Sequence, residues 1–408
     1  PGRGDDFLAY TMPGRPIFGA VMGFLFIAGL VIAVARWRDR AAAFALIWFV
    51  VGIGPSLITG PAASTTRSIA ALPVTYLFPA LAAVSAARWL GRQWDETGTW
   101  LAGLAFVGLL IVTAVITAGD YYARWGESPH TRAAYQHTLT ETASYLDAQP
   151  AGGIVALSTE QPYAPHDPYV FDLSLDRSDL SLRWFDARRA LVLPPDPQVR
   201  LITPSSAPLG GVLAELPGFE LTERVEMRPD DLDPWFDVYA WEPRETRTGL
   251  YRRMEDRAAG PSLESAFLPG DDQVEGVSLP AVFGGALELL GYDIFSPVGS
   301  PGGDIGLLTV WEVREPASIQ PADPADVGGE PVLFVHALDK DGDMVAKEDR
   351  LDAPAWAWQP GDAVAQVHHL ALPKESSAER VALAVGVYRR DDGSRLPVTV
   401  EGEGIGDR

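Results

Sequence analysis

The stretch 97–119, TGTWLAGLAFVGLLIVTAVITAG, carries no charged residue. At about 1.5 Å per helical residue it is long enough to cross the roughly 30 Å hydrocarbon core of a bilayer. Three earlier stretches share this property, and the predicted spans are 17–35, 41–60, 68–87 and 98–118. The first contains eleven Leu, Ile, Val or Phe residues, which favour insertion into lipid. We therefore predict an α-helical transmembrane bundle of about four spans within residues 1–119.

Basic residues predict how these spans are oriented. The connection after the first span contains three arginines and the connection after the third contains two, whereas the connection after the second holds only Arg67. Arginine-rich connections stay on the cytoplasmic side, so residues 120–408 are predicted to be extracytoplasmic. Four tryptophans near the predicted cytoplasmic boundary agree with this orientation, because indole rings favour the membrane interface: Trp37, Trp89, Trp94 and Trp100.

Net charge divides the chain into two unlike parts. Residues 1–118 carry a balance of +3 and the remainder a balance of −25, which together give the net charge of −22. So acidic a second part argues against nucleic acid or anionic lipid as its partner. The absence of cysteine excludes disulfides, thiolate nucleophiles and Cys-ligated metal sites.

After residue 120 the sequence predicts two soluble domains. Short apolar runs between turn signals favour an α/β domain over residues 120–245, followed by a linker at 246–262. Residues 263–408 contain β-rich runs separated by Gly, Pro and Asp, a pattern typical of an antiparallel β-sandwich. The sequence DKDGD at 339–343 predicts a hairpin turn, since it lacks the spacing of an EF-hand calcium loop.

Several sequence strings resemble the C-terminal part of glycosyltransferase family 39, which includes the protein O-mannosyltransferases and the lipid A aminoarabinose transferase. The strings are PGRP, GPSLITG and ALPVTYLFPAL in the apolar part, then WFDARRALVLPP, FGGALELLGYD, FVHALDKDG and VGVYRRDDGSRL. The resemblance implies a membrane-embedded enzyme that transfers a sugar from a polyprenyl-phosphate carrier to an acceptor on the outer face. In such enzymes the catalytic acidic residues lie on a first outer loop, which is expected to precede Pro1, so the chain is interpreted as a fragment and its catalytic residues stay unassigned.

Arg67 is the first candidate site residue. A cation at the outer end of the third span could pair with the phosphate of a lipid-linked donor, and the resemblance implies a basic residue in a similar place. The alternative is an arginine that extends to the lipid headgroups without a substrate. Asp5 and Asp6 could orient an acceptor or bind a cation, although adjacent carboxylates on a polar loop are usually solvated.

Two further sets of candidates lie in the predicted soluble domains. Glu160, His166 and Asp167 follow the first predicted strand, where open α/β sheets tend to bind ligands, or they belong to a surface loop. Trp356 and Trp358 alternate as strand residues do, so they could stack on a sugar or pack in a core. The six histidines show no metal-ligand spacing, and neither a metal site nor another cofactor is predicted, a divalent cation having no support in the sequence.

No dinucleotide fingerprint, phosphate-binding loop or serine-hydrolase elbow occurs in the sequence. The predicted partners are a lipid-linked sugar donor and membrane lipids, and the predicted location is the bacterial cytoplasmic membrane. A second hypothesis is a membrane-anchored module that binds envelope polysaccharide or protein without catalysis. The sequence that precedes Pro1 would discriminate between them, because an acidic outer loop after a first span supports the enzyme.

Overall fold

The structure is a computed structural model that describes residues 8, 12–58, 65–150, 152–258, 279–295, 303–324, 326–339, 341–373 and 382–406. Its fold is mixed α/β, with apolar helices at one end of the chain and mainly antiparallel sheets in the rest. The chain forms two compact units, Pro1–Tyr135 and Gln136–Arg408. Asp5 and Asp6 lie outside the described residues.

The secondary structure of unit 1, in its described part, consists of helices joined by turns. Its elements are α1 (Ala20–Ala35), α2 (Arg40–Ile58), a 3-10 helix (Thr65–Ala71), α3 (Leu72–Ala118), a π-helical turn (Gly119–Trp125) and α4 (Pro129–Ala134). By length and composition, two helical runs could cross a membrane: Arg40–Ile58 and Arg67–Trp125. The predicted spans 17–35 and 41–60 fall on α1 and α2, and the spans 68–87 and 98–118 both fall on α3.

The long helix α3 consists of two arms that meet at a sharp bend. Trp94 and Asp95 depart from helical geometry, and Asp95 has a φ of 54° and a ψ of −148°. A Cβ added at Gly98 would collide with the carbonyl group of Leu90. In a straight helix residues eight apart are separated by about 12 Å, so the contact shows that the second arm folds back on the first.

Phenylalanines and close backbone contacts pack α1, α2 and the first arm of α3 together. Phe26, Phe49 and Phe78 form mutual ring contacts with centroids 5.4–5.8 Å apart. Glycine allows close approach at two places, because a Cβ at Gly29 would collide with Phe78 O and one at Gly52 would lie 2.8 Å from Ala71. Small residues at helix contacts are characteristic of helices that pack in lipid.

The described part of unit 2 contains three sheets. Its helices are α5 (His137–Asp147), α6 (Asp167–Ser174), α7 (Gly211–Ala214) and α8 (Pro243–Ala258). Strands of the five-stranded sheet, in spatial order, are β2 (Leu180–Phe185), β1 (Gly153–Ser158), β4 (Val199–Pro204), β6 (Trp235–Trp241) and β5 (Phe219–Glu226). The first three are parallel, and β6 and β5 are antiparallel to their neighbours.

The other two sheets are antiparallel. The seven-stranded sheet has the order β15 (Glu403–Gly406), β14 (Val398–Val400), β7 (Ala281–Phe283), β8 (Leu287–Ile294), β9 (Asp304–Val313), β12 (Ala363–Ala371) and β3 (Ala190–Leu193). The three-stranded sheet has the order β11 (Met344–Arg350), β10 (Pro331–Leu338) and β13 (Ala382–Arg389). An apolar cluster joins the two sheets through Ile305, Leu307, Val335, Ala337 and Leu370.

The structure differs from the sequence prediction at the predicted boundary between soluble domains. Strand β3, from the predicted 120–245 domain, pairs with β12 of the predicted 263–408 domain, with Val192 opposite Val364. The predicted linker 246–262 is helical up to Ala258, because Leu250 and Met254 are spaced four residues apart and present one apolar face. The largest apolar cluster among the described residues of unit 2 therefore takes side chains from both predicted domains.

Candidate functional site

Arg67 lies on the exposed side of the 3-10 helix that joins α2 to α3. Hydrogen bonds hold this segment against α2. The indole Nε1 of Trp48 donates to Ala70 O at 2.8 Å, and the hydroxyl oxygens of Ser56 and Ser68 lie 2.5 Å apart. These contacts fix the position of the 3-10 helix, and they leave the face that carries Arg67 exposed.

The same end of unit 1 carries a second group of charges. Arg15 Nε lies 3.2 Å from Asp120 Oδ2, and Arg124 Nη1 lies 2.8 Å from Asp120 Oδ1. The contact of Gly52 with Ala71 and that of Phe49 with Phe78 show that α2 and the first arm of α3 are antiparallel. Each helix or arm of unit 1 runs opposite to the one before it. Arg67, which lies between α2 and α3, is therefore at the same end of unit 1 as the start of α1 and the end of the second arm of α3.

Glu160, His166 and Asp167 follow β1 at the carboxyl edge of the parallel strands, as the sequence predicts. In the sheet, β1 has β2 on one side and β4 on the other. The chain continues from β1 to β2, away from β4, and in α/β sheets this arrangement opens a crevice at the carboxyl edge. Glu160 and His166 are exposed, whereas Asp167 is buried. Burial raises the pKa of the Asp167 carboxyl, and Gln136 Nε2 donates a hydrogen bond to it at 2.6 Å.

Arg188 organises this edge, and the sequence alone gave no reason to select it. Its guanidinium binds both carboxylate oxygens of Asp186, at 2.8 and 2.7 Å, and also the carboxylate of Glu160 at 2.9 Å. These hydrogen bonds, with Asp186 first among them, raise the pKa of Arg188 above its usual range. Its Nη1 also donates to the carbonyl of Ser206, so the cation connects three loops.

Two further polar residues complete the loop network without offering a reactive group. Ser158 donates to Ala207 O at 2.6 Å and accepts the Ala187 N–H at 2.9 Å, so its buried hydroxyl is fully engaged. Asp233 accepts hydrogen bonds from Thr138 and from the hydroxyls of Ser205 and Ser206. Because its partners come from distant parts of the sequence, no local motif marks Asp233. The arrangement fixes loop geometry, and Glu160 is its most accessible acidic group.

Trp356 and Trp358 do not form a strand pair. Ala355–Ala357 is a 3-10 helix, since the prolines at 354 and 360 limit strand pairing here. The predicted alternation is therefore wrong. Trp358 is 1% exposed and belongs to the large core, while Trp356 is half-buried against a different apolar cluster.

The buried carboxylate of Glu330 fixes this tryptophan segment. It accepts the N–H of Ala355 at 2.8 Å, and the side-chain amide of Gln320 donates to Ala355 O and Trp358 O at 2.8 and 3.0 Å. Burial raises the pKa of Glu330 to about 7. Sequence reasoning did not identify Glu330, because its role depends on burial that only the folded chain creates.

The histidine pair His368 and His369 lies on β12 with side chains on opposite faces, as alternation predicts. His368 is fully buried, with Nε2 3.3 Å from the Thr309 hydroxyl, and His369 is exposed. Within the described ranges, no cluster of three or more His, Asp or Glu side chains has metal-binding geometry. The predicted hairpin at 339–343 is confirmed, and Asp339 accepts N–H groups from Asp341 and Asp343.

Comparison of the sequence with models of known protein families gives no match, and comparison with curated proteins gives none.

Proposed function

We propose that this chain is part of a bacterial membrane-embedded glycosyltransferase. In this proposal unit 1 forms a four-span bundle in the cytoplasmic membrane, and residues 120–408 lie on the extracytoplasmic side. The enzyme transfers a sugar from a polyprenyl-phosphate carrier to an acceptor on the outer face. Exposed apolar helices carry the membrane part of the proposal, and the resemblance to glycosyltransferase family 39 carries the chemistry.

Unit 1 exposes apolar side chains that water solvates poorly. The most apolar 18-residue stretch of Arg67–Trp125 contains no buried residue. Large exposed side chains occur on all three long helices, among them Phe24, Ile47, Val51, Leu104 and Val115. Burial of apolar surface contributes about 25 cal/mol per Å². Lipid around these helices would supply that stabilisation, whereas an aqueous environment would leave the surface exposed.

Charges and aromatic rings at the helix ends support the proposed orientation. Two arginines lie between α1 and α2, a third begins α2, and two more lie just before the bend in α3, all at the end opposite Arg67. An excess of arginine marks the cytoplasmic side of a membrane protein. Tyr121, Tyr122 and Trp125 form contacting rings at the other end, where amphipathic rings suit the outer interface.

Arg67 would bind the phosphate of the lipid-linked donor. A guanidinium can donate two parallel hydrogen bonds to phosphate oxygens, and it stays charged at any physiological pH. The hydrogen bonds of Trp48 and Ser56 to the 3-10 helix hold this residue at one level of the bundle. The donor phosphate must lie at the membrane surface, because the polyprenyl tail that it carries stays in the bilayer. The proposal places Arg67 at that surface.

The proposal is tested by binding of a polyprenyl monophosphate to the full chain in detergent micelles. Because charge-assisted hydrogen bonds contribute about 1.5–3 kcal/mol, Arg67→Ala should weaken binding roughly 10- to 100-fold. Arg38→Ala, at the opposite helix end, is the matched control and should bind as the unaltered chain does. Equal affinities for the Arg67→Ala and Arg38→Ala variants would remove Arg67 from the mechanism.

A transfer assay in membranes tests the chemistry itself. With polyprenyl-phosphate mannose as the probe, the enzyme should lose most of its transfer rate on Arg67→Ala. Transfer at the unaltered rate would argue against a donor site at this helix end. The non-catalytic binding module has less support, because buried Trp358 cannot join Trp356 in an exposed sugar-stacking pair.

A further inference from the structure

The bend of α3 forms a depression with both acidic and basic walls. Its volume is about 440 Å³, and it is open to the surroundings. The lining residues are two arginines, two acidic residues, a threonine and a glycine: Arg88, Arg92, Asp95, Glu96, Thr99 and Gly91. Arg88 and Arg92 are one helical turn apart on the first arm, and the acidic residues follow at the bend. The lining thus carries two positive and two negative formal charges.

These four side chains are unpaired in the part of the chain that the structure describes. Within the described ranges, Arg88, Arg92, Asp95 and Glu96 make neither an ion pair nor a side-chain hydrogen bond. Gly91 allows the second arm to approach closely, since a Cβ there would collide with the Thr99 hydroxyl. The bend therefore holds the two arginines and the two carboxylates around one small volume, and their hydrogen-bonding capacity stays available to a ligand.

Aromatic side chains surround the same bend. Trp89, Trp94 and Trp100 are 60%, 61% and 72% exposed, respectively. Indole rings prefer the depth of lipid headgroups, where the apolar ring contacts acyl chains and the N–H stays hydrated. The depression therefore lies at the level at which phospholipid headgroups are found, provided that unit 1 is embedded in a bilayer as proposed above.

We propose that this depression binds the headgroup of a zwitterionic phospholipid that carries a primary amine, of the phosphatidylethanolamine class. Arg88 and Arg92 bind the phosphate, because guanidinium groups match phosphate oxygens in pairs. Asp95 and Glu96 accept hydrogen bonds from the ammonium group, which has three donors. The formal charges of the lining residues add to zero, as do those of the headgroup.

Other headgroups match the depression less well. Phosphatidylglycerol would satisfy the arginines but leave two carboxylates beside an anionic lipid without a cation. Phosphatidylcholine has a quaternary amine that cannot donate a hydrogen bond to Asp95 or Glu96, and the aromatic rings that bind such amines are not among the lining residues of the depression. The inference rests on the proposed membrane location of unit 1, and it is independent of the donor site at Arg67.

The test is native mass spectrometry of the full chain with phosphatidylethanolamine, phosphatidylglycerol or phosphatidylcholine. The unaltered chain should retain phosphatidylethanolamine about tenfold better than the other two lipids, as expected for loss of one charge-assisted hydrogen bond. Arg88→Gln with Arg92→Gln should abolish this retention. Asp95→Asn with Glu96→Gln should reverse the preference toward phosphatidylglycerol, and each amide keeps the size of the carboxylate that it replaces.

Arg36→Gln with Arg38→Gln is the control, since it removes two arginines from the same end of unit 1 without touching the depression. Equal retention of the three lipids, or an unchanged preference in either lining variant, would overturn the proposal. Competition by soluble glycerophosphoethanolamine as strong as by the lipid would overturn the lipid assignment. A chain that fails to float with vesicles of any composition would instead contradict the membrane location.

Discussion

The buried pair Arg183 and Asp362 joins strand β2 to the loop that precedes β12. Arg183 Nε lies 2.7 Å from Asp362 Oδ2, and the two side chains are 6% and 0% exposed. Burial raises the pKa of the Asp362 carboxyl, against the opposing effect of the Arg183 charge. Ionised side chains this deeply buried are tolerated only with a partner, so each depends on the other.

Asp362→Ala should therefore lower the free energy of unfolding by about 3–5 kcal/mol, because it leaves the Arg183 cation buried without its partner. Denaturant unfolding of the full chain in detergent, followed by tryptophan fluorescence, measures the change. The control is Asp179→Ala, which breaks the exposed pair with Arg177 and should have little effect. Equal stability of the Asp362 and Asp179 variants would show that the buried pair does not connect the two sheets.

Glu330 predicts a pH dependence. Its folded-state pKa of about 7 lies above the ordinary value of 4.5. Between pH 4.5 and pH 7, Glu330 is therefore protonated in the folded chain and ionised in the unfolded chain. Stability should therefore fall as pH rises through this window, by at most about 3 kcal/mol, and level off above it. Glu330→Gln keeps an acceptor for the Ala355 N–H and removes the titration.

Thermal unfolding of the full chain at pH 5 and pH 8 measures this effect. The unaltered chain should lose unfolding temperature between pH 5 and pH 8, and the Glu330→Gln variant should lose less. The glutamine variant should therefore be more stable at pH 8, relative to the unaltered chain, than it is at pH 5. Glu315→Gln replaces an exposed glutamate nearby and should leave the profile unchanged. A pH profile that Glu330→Gln does not alter would contradict the assigned titration.

Sequence reasoning found residues whose roles depend on local position and missed those whose roles depend on distant partners. The location of Glu160 and Asp167 after the first strand followed from the strand pattern alone. Arg183 could not be identified, because its partner is 179 residues away in the chain. In the sequence nothing distinguishes Glu330 from the many other acidic residues. Its burial is apparent only in the folded chain.

At the scale of elements, helix α8 is where the fold departs most from the sequence prediction. Leu250 is fully buried, and Met254 packs against the glycine at 291 of β8. Arg253 forms ion pairs with Glu215 and with Asp293. The segment TRTGLYRRMEDRA has so many charged residues that its short apolar face, four residues apart, is easily missed.

Leu250→Ala should lower the free energy of unfolding by about 2–5 kcal/mol, because it opens a cavity in a packed core. Tyr251→Ala, on the more exposed side of the same helix, is the matched control and should cost less. Denaturant unfolding of the full chain in detergent measures both. Unchanged stability in the Leu250→Ala variant would indicate that this segment acts as a linker.

Most predicted apolar runs in residues 150–400 are strands, because buried β-branched and aromatic residues mark them clearly. The strands that were missed lack this signal. Strand β11, MVAKEDR, is a charged edge strand, and β2, LSLRWF, contains the buried Arg183. The helical stretch after residue 128 is divided into α4 and α5 at Gln136, whose φ is 54°. A single residue in the left-handed region has no periodicity that would reveal it.

At the scale of the molecule, two properties of the sequence anticipated the division of the chain. The apolar composition of residues 1–118 and the acidity of the rest indicate two parts, and the compact units divide after Tyr135. The sharing of one core by residues 136–408 could not be predicted. Strand β3, ALVL, is buried along its whole length and gives no indication that its partner is β12.

The central claim is that lipid surrounds unit 1 and that the acidic unit faces the outside. Because the chain has no cysteine, single-cysteine variants report topology without background labelling. The measurement is labelling of Ser394→Cys and Thr97→Cys, both at exposed positions, with a membrane-impermeant maleimide on intact bacterial cells. We expect the cysteine at 394 to be labelled at once and the cysteine at 97 only after the membrane is permeabilised. Labelling in the reverse order, or recovery of the chain in the soluble fraction without detergent, would contradict it.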